Sequence, residues 1–121
     1  MGLNIYFFDE QGKEIEGDYH LQITHNLNKV VSACGELVGK SYYEAIWRPD
    51  TLTGLENGKV PVLLIVNYLP DLIRDLIKYE SVLTQYLPKN GYGTFEGLIE
   101  FLCNYLKECY TYKNEYVYCC R

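Results

Sequence analysis

The segment that most limits what this chain can become begins at Thr94. Phe95, Leu98, Ile99, Leu102, Tyr105, Leu106 and Cys109 recur at helical spacing, which places them on one stripe of a long amphipathic helix. Thr94 stands where an N-cap belongs. A helix with one apolar stripe needs a surface to lie on, and the next segment can supply it. Residues 116–121 alternate and are rich in tyrosine, the pattern of a half-buried strand.

More strands are expected at the other end. Residues 3–8 are β-prone, Asp9-Glu10-Gln11-Gly12 is a turn signal, and residues 13–16 can return as a second strand. Gly17-Asp18 turns again, and residues 20–24 read as a third. Leu27, Val30, Val31, Cys34, Leu37 and Val38 then form a helical stripe, with Asn26 as N-cap and Gly39 as stop. Ser41-Tyr42-Tyr43-Glu44 opens a short helix as a capping box, and Trp47-Arg48-Pro49 closes it. Residues 50–59 are polar and read as a loop. Residues 60–79 read as a helix with Pro61 in its first turn and a kink or break at Pro70. A short helical piece is expected over residues 80–86.

The expected fold is one α+β domain over residues 1–121. It has a small antiparallel or mixed sheet, made of three N-terminal strands and a C-terminal strand, with about four helices packed on one face. The chain is long enough to bury a core without staples. A 48% apolar, 22% charged composition is that of a globular chain.

Charge and cysteine usage narrow the function. A net charge of −5 argues against binding polymeric nucleic acid, which calls for a basic stripe. It leaves room for a small anionic ligand, which one local cluster of positive groups can hold. No apolar run reaches membrane-spanning length. The cysteines are five in number, with no CxxC, so reduced thiols in a cytosolic compartment are expected. None has zinc-finger spacing, none has neighbours that would lower its pKa, and most read as small core hydrophobes.

Three short segments carry chemistry. Asn90-Gly91-Tyr92-Gly93-Thr94 runs into a helix N-terminus, where glycine-rich backbone and the helix end favour an anion such as phosphate. It matches neither a P-loop nor GxGxxG, so on pattern alone a plain connector that uses glycine for positive φ is the better account. Trp47 and Arg48 pair a stacking ring with a planar cation suited to phosphate, although a core Trp beside a surface Arg is the simpler account. His25 and Asn26, at a strand-to-helix junction, can hydrogen-bond a ligand or merely cap the helix. Arg121 offers a guanidinium and a carboxylate at the chain's end.

Taken together, Ile23-Thr24-His25-Asn26-Leu27, Trp47-Arg48-Pro49, Asn90-Gly91-Tyr92-Gly93-Thr94-Phe95 and the closing Arg121 resemble a family of small uncharacterised bacteriophage and prophage proteins. That family has ITHNL, LWRP and NGWGTY boxes and a C-terminal Arg. The resemblance runs from about residue 23 to the end and is weakest over residues 52–69. Ile46 stands for the family's Leu, Tyr92 for Trp, Phe95 for Tyr, and Cys120 for Ser. The resemblance implies a phage origin and a location in the cytoplasm of an infected bacterium. It implies no particular activity.

Polar boxes at element ends point to one shared pocket. The leading expectation is a small-molecule binder without chemistry, a sponge for a nucleotide immune signal of the cyclic dinucleotide or cyclic ADP-ribose type. His25, Asn26, Trp47, Arg48, Asn90, Gly91, Tyr92, Gly93, Thr94 and Arg121 would form its site. The alternative is a protein–protein inhibitor of a host or defence protein, whose 13 tyrosines would lie exposed as one patch. An enzyme with His25 as general base ranks last, because no second histidine box, metal set or activated nucleophile accompanies it. A homo-oligomer paired through the terminal strand is compatible with either leading reading.

Overall fold

A computed structural model describes residues 2–15, 21–54, 58–91 and 93–120. It is an α+β fold. Among the described residues four strands form one antiparallel sheet: β1 (Gly2–Phe8), β2 (Gln22–Thr24), β3 (Lys59–Pro61) and β4 (Tyr116–Cys120), in the order β2-β1-β4-β3. The two terminal strands form its centre, with Ile5 opposite Cys119 and Phe7 opposite Val117. Because β4 is paired on both sides, by β1 and by β3, it offers no free edge among the described residues for the strand-to-strand homo-oligomer expected of it. Strands alternate their side chains between faces, so Leu3, Ile5 and Phe7 of β1 and Val117 and Cys119 of β4 enter the core.

The helices are α1 (Asn28–Val38), α2 (Tyr42–Trp47), α3 (Pro49–Thr53), α4 (Tyr68–Lys78), α5 (Glu80–Leu83) and α6 (Phe95–Thr111). The stripe beginning at Phe95 behaves as its spacing requires: Phe95, Leu98, Leu102, Tyr105 and Cys109 are buried, and the Thr94 hydroxyl accepts from Gly97 N at 3.0 Å. Tyr105 meets Phe7 of the sheet edge-on, with ring centroids 6.4 Å apart. Gly39 ends α1 at φ 71°, a left-handed conformation that glycine adopts without strain.

Several sequence expectations are corrected. Asn26 does not cap α1: the Thr24 side chain caps a 3-10 turn over His25–Leu27, and Leu27 stands at the N-cap of α1. Ser41 heads α2 without a side-chain capping bond, so no capping box closes there. Among the described residues, 13–15 do not form a second strand: a single bridge joins Phe8 and Glu14, and Glu16, Gly17, Asp18 and His20 lie outside the described residues. The fourth strand comes instead from mid-chain, where a helix was expected from residue 60. Val60 pairs with Val117, and Pro61 ends β3 on the sheet edge, where its missing N–H breaks no ladder. Pro70 breaks nothing either, because α4 starts at Tyr68 and places it in the first turn, where N–H groups have no helical partner. The expected loop after Arg48 begins as α3, with Pro49 at its first position.

A polar tie joins α2 to α4. Tyr42 is buried and donates its hydroxyl to Asp75 Oδ2 at 2.6 Å. Arg74 Nε reaches Asp75 Oδ1 at 3.1 Å, and Arg74 and Lys40 both pair with Asp71 at 3.3 Å. Burial alone would raise the Asp75 carboxyl, but hydrogen bonds from Arg74 and Tyr42, with the charges of Arg74 and Lys40, outweigh it and hold it below the ordinary range. Burial, followed by the bond to Asp75, raises Tyr42. Burial and the nearby Asp75 charge push the Cys34 thiol up to about 11.

Candidate functional site

The site is built where β2 gives way to α1. Thr24 ends the strand in extended conformation, and its hydroxyl accepts from Asn26 N at 3.4 Å. That local bond turns the chain into a 3-10 turn, His25–Leu27, which drives Leu27 into the core and leaves Asn26 exposed. Asn28 and Lys29 then open α1, whose N-terminal end carries partial positive charge.

The opposite wall is the chain between α5 and α6. A 3-10 turn, Thr84–Tyr86, runs into Leu87, Pro88, Lys89 and Asn90. Between the walls lies a cleft of about 680 Å³, lined by His25, Asn26, Asn28 and Lys29 on one side and Gln85 to Asn90 on the other. That volume falls within the roughly 300–1,000 Å³ typical of small-molecule sites. No carboxylate lines it, and Lys29 and Lys89 bring two cations. Tyr86 contributes an exposed ring on the same wall. Gln85 is oriented by donating its side-chain amide to Val82 O at 2.8 Å, which leaves its carbonyl oxygen as an acceptor.

The three sequence boxes do converge, but not all as ligand contacts. His25, Asn26 and Asn90 line the cleft. Gly93 binds the last box to the first: a Cβ there would lie 3.0 Å from both Leu27 Cγ and Thr24 Cγ2, so the backbone packs directly on the turn behind His25. Thr94 is used as the cap of α6, and Gly91 is exposed at φ 79° beside Asn90.

Trp47 corrects its sequence reading. Its ring is fully buried, stacked on Tyr43 at 5.7 Å with 9° between planes, so it presents no face to a base. Its indole N–H donates to His25 Nδ1 at 3.2 Å, from behind the cleft. Arg48 is exposed at the junction of α2 and α3 and is not part of the cleft lining. Tyr92 and Arg121 lie outside the described residues.

Sequence reading missed Lys29, Gln85, Tyr86 and Lys89. The available signal was positional: Lys29 falls in the first turn after the His25-Asn26 box, and Lys89 directly precedes Asn90-Gly91. Other concavities have less to offer an anion. In one of about 400 Å³, Lys40 is already paired with Asp71 at 3.3 Å. One of about 500 Å³ lies along a single flank of α6, from Cys103 to Thr111. Among the described residues, no three His, Cys, Asp or Glu side chains gather as a metal site, and no helix is long and apolar enough to cross a membrane. No family model matches this chain, no curated protein is significantly similar to it, and no solved structure matches its fold.

Proposed function

We propose that the protein binds a small anionic, nucleotide-like ligand in the cleft between the start of α1 and residues 85–90, without transforming it. The observation that carries this reading is the lining: two lysines, a histidine and a helix N-terminal end converge in a cleft that holds no carboxylate, in a chain of net charge −5. Lys29 and Lys89 would take phosphate charge. Asn26 and Asn90 would hydrogen-bond polar edges, and Tyr86, in place of Trp47, would stack on a base. The resemblance to bacteriophage proteins refines the proposal to a sponge that sequesters a nucleotide immune signal of the cyclic dinucleotide or cyclic ADP-ribose type.

The test is a thermal-shift screen against cyclic dinucleotides, cyclic trinucleotides, ADP-ribose isomers and plain nucleotides. A ligand that binds only the folded state adds about 2.7 kcal/mol at a hundredfold excess over Kd, which raises Tm. The expected result is a selective rise that is lost in the Lys29→Ala, Lys89→Ala double variant, with the ligand recovered unaltered. A flat response sinks the ligand reading and favours the protein–protein inhibitor instead. Recovery of a chemically altered ligand sinks the claim that no chemistry occurs.

A further inference from the structure

The indole N–H of Trp47 can only donate a hydrogen bond. Its partner is His25 Nδ1 at 3.2 Å, so that nitrogen must present its lone pair. A neutral imidazole carries one N–H, which then sits on Nε2. The donor is rigidly held: Trp47 is fully buried, stacked on Tyr43, and set edge-on to His25 with 80° between ring planes. The indole is bonded to Nδ1, which leaves Nε2 as the ring nitrogen it does not engage. Among the described residues, Trp47 is the one hydrogen-bond partner of the His25 side chain. His25 itself is only partly buried and lines the cleft beside Asn26, Lys29 and Lys89.

We propose that Trp47 is a positioning residue that holds His25 in its Nε2–H form and in one ring orientation, so that the cleft presents an imidazole donor to the acceptor oxygens of an anion. The ligand half of this statement rests on the anion-binding reading above; the tautomer half does not. The arrangement also argues against His25 acting as a base. A general base needs a lone pair facing the substrate, and the one available lone pair is turned inward and occupied. With Lys29 and Lys89, the Nε2–H completes a lining that selects oxyanions over cations and over ligands that offer only donors.

Two measurements on the full chain test the proposal. Long-range proton–nitrogen correlation spectra of nitrogen-labelled protein, recorded well above the ordinary imidazole range, identify the protonated nitrogen. The expected spectrum has Nδ1 unprotonated and Nε2 protonated in the wild type, with the Nδ1 signal moved in Trp47→Phe. A protonated Nδ1 in the wild type overturns the role of Trp47, whatever the cleft binds. Calorimetric titration with inorganic pyrophosphate tests the ligand half. His25→Gln keeps an amide N–H near the Nε2 position and should bind within about threefold of wild type. His25→Asn places its amide too far back, and Trp47→Phe frees the imidazole to rotate; each should weaken binding by about three- to tenfold, the cost of ordering one side chain. Because Trp47 is a core residue, the His25 pair carries the test wherever Trp47→Phe lowers stability. Equal affinities for His25→Gln and His25→Asn overturn the donor role. Absence of pyrophosphate binding with the Nε2–H signature intact overturns the anion reading, a failure distinguishable from that of the tautomer.

Discussion

Single residues in this chain carry consequences out of proportion to their sequence signal. Asp75 belongs to no motif and reads as one more scattered acid, yet its buried carboxylate holds Tyr42 and Arg74 together. Removing one partner of a buried charge-assisted hydrogen bond costs about 1.5–3 kcal/mol. Tyr42→Phe keeps the ring and deletes only the donor, so urea unfolding should show an unfolding free energy lowered by that amount, read as a lower midpoint with an unchanged slope. An unmoved midpoint would mean the bond does not form in solution. Trp47 and Arg48 show the converse, a strong motif whose parts separate in space. Adjacent residues on a helix do not share a face, and here one ring fills the core while its neighbour is solvent-exposed. Arg48→Ala should therefore leave ligand affinity within about twofold by calorimetry, whereas the Lys29→Ala, Lys89→Ala pair should lose most of it and make the residual binding insensitive to salt. Comparable losses from Arg48→Ala would place the site elsewhere. His25, Asn26 and Asn90 were legible because polar residues at a junction or a glycine turn call for an explanation. Lys29 and Lys89 were not, because a surface lysine calls for none.

At the scale of elements, legibility followed the range of the forces involved. The long helix after Thr94, the body of α1 with its Gly39 stop, and the terminal strands are local matters of cap, period and breaker, and the structure has them where the pattern puts them, except that Thr24 rather than Asn26 supplies the cap at the start and Leu37 of the α1 stripe is exposed. β3 is different. Val60 and Val62 suit helix or strand equally, and what decides is a ladder to β4 more than fifty residues further along the chain. A short apolar run does not encode that choice by periodicity. Proline misled for a related reason: its effect depends on where the element begins, and Pro70 is harmless two residues into α4. Gly93 is the position where element packing becomes testable. It sits at φ 119°, and a Cβ there would crowd Thr24 and Leu27 at 3.0 Å. Gly93→Ala should lower stability by about 1–3 kcal/mol from backbone strain, with an added steric cost as the start of α6 is pushed off the His25 turn. A wild-type Tm in Gly93→Ala would mean the two boxes are not in contact. Its spectrum of cleft-residue amides should also shift, because Gly93 packs on the turn that carries His25 and Asn26.

The whole molecule brackets its stability between an acid and an alkaline limit set by different buried groups. On the acid side, Asp75 titrates below its ordinary range in the fold, so it contributes stability present above the unfolded carboxylate range and lost as pH falls through the folded value. On the alkaline side the sign reverses. Burial raises Tyr42, Tyr105, Cys109 and Cys34, the last to about 11 from 9.0. Each stays protonated in the fold while the unfolded chain releases its proton. From about pH 9 the unfolded state therefore binds fewer protons than the native one, and stability falls with rising pH. The urea midpoint should be flat through neutrality, begin to fall near pH 9, and drop steeply towards pH 11. Thiol reactivity supplies an independent clock for the same event. Cys103 is exposed and Cys120 partly so, while Cys34, Cys109 and Cys119 are buried. A disulfide reagent at neutral pH should label Cys103 quickly, Cys120 more slowly and the other three only through unfolding. As pH rises, the exposed pair should accelerate, but the buried three should lag and then react together where the urea midpoint collapses. If Cys34 instead accelerated in step with Cys103 while the fold remained intact, the packing of α1 against α2 and α4 would be looser than the burial of its thiol requires.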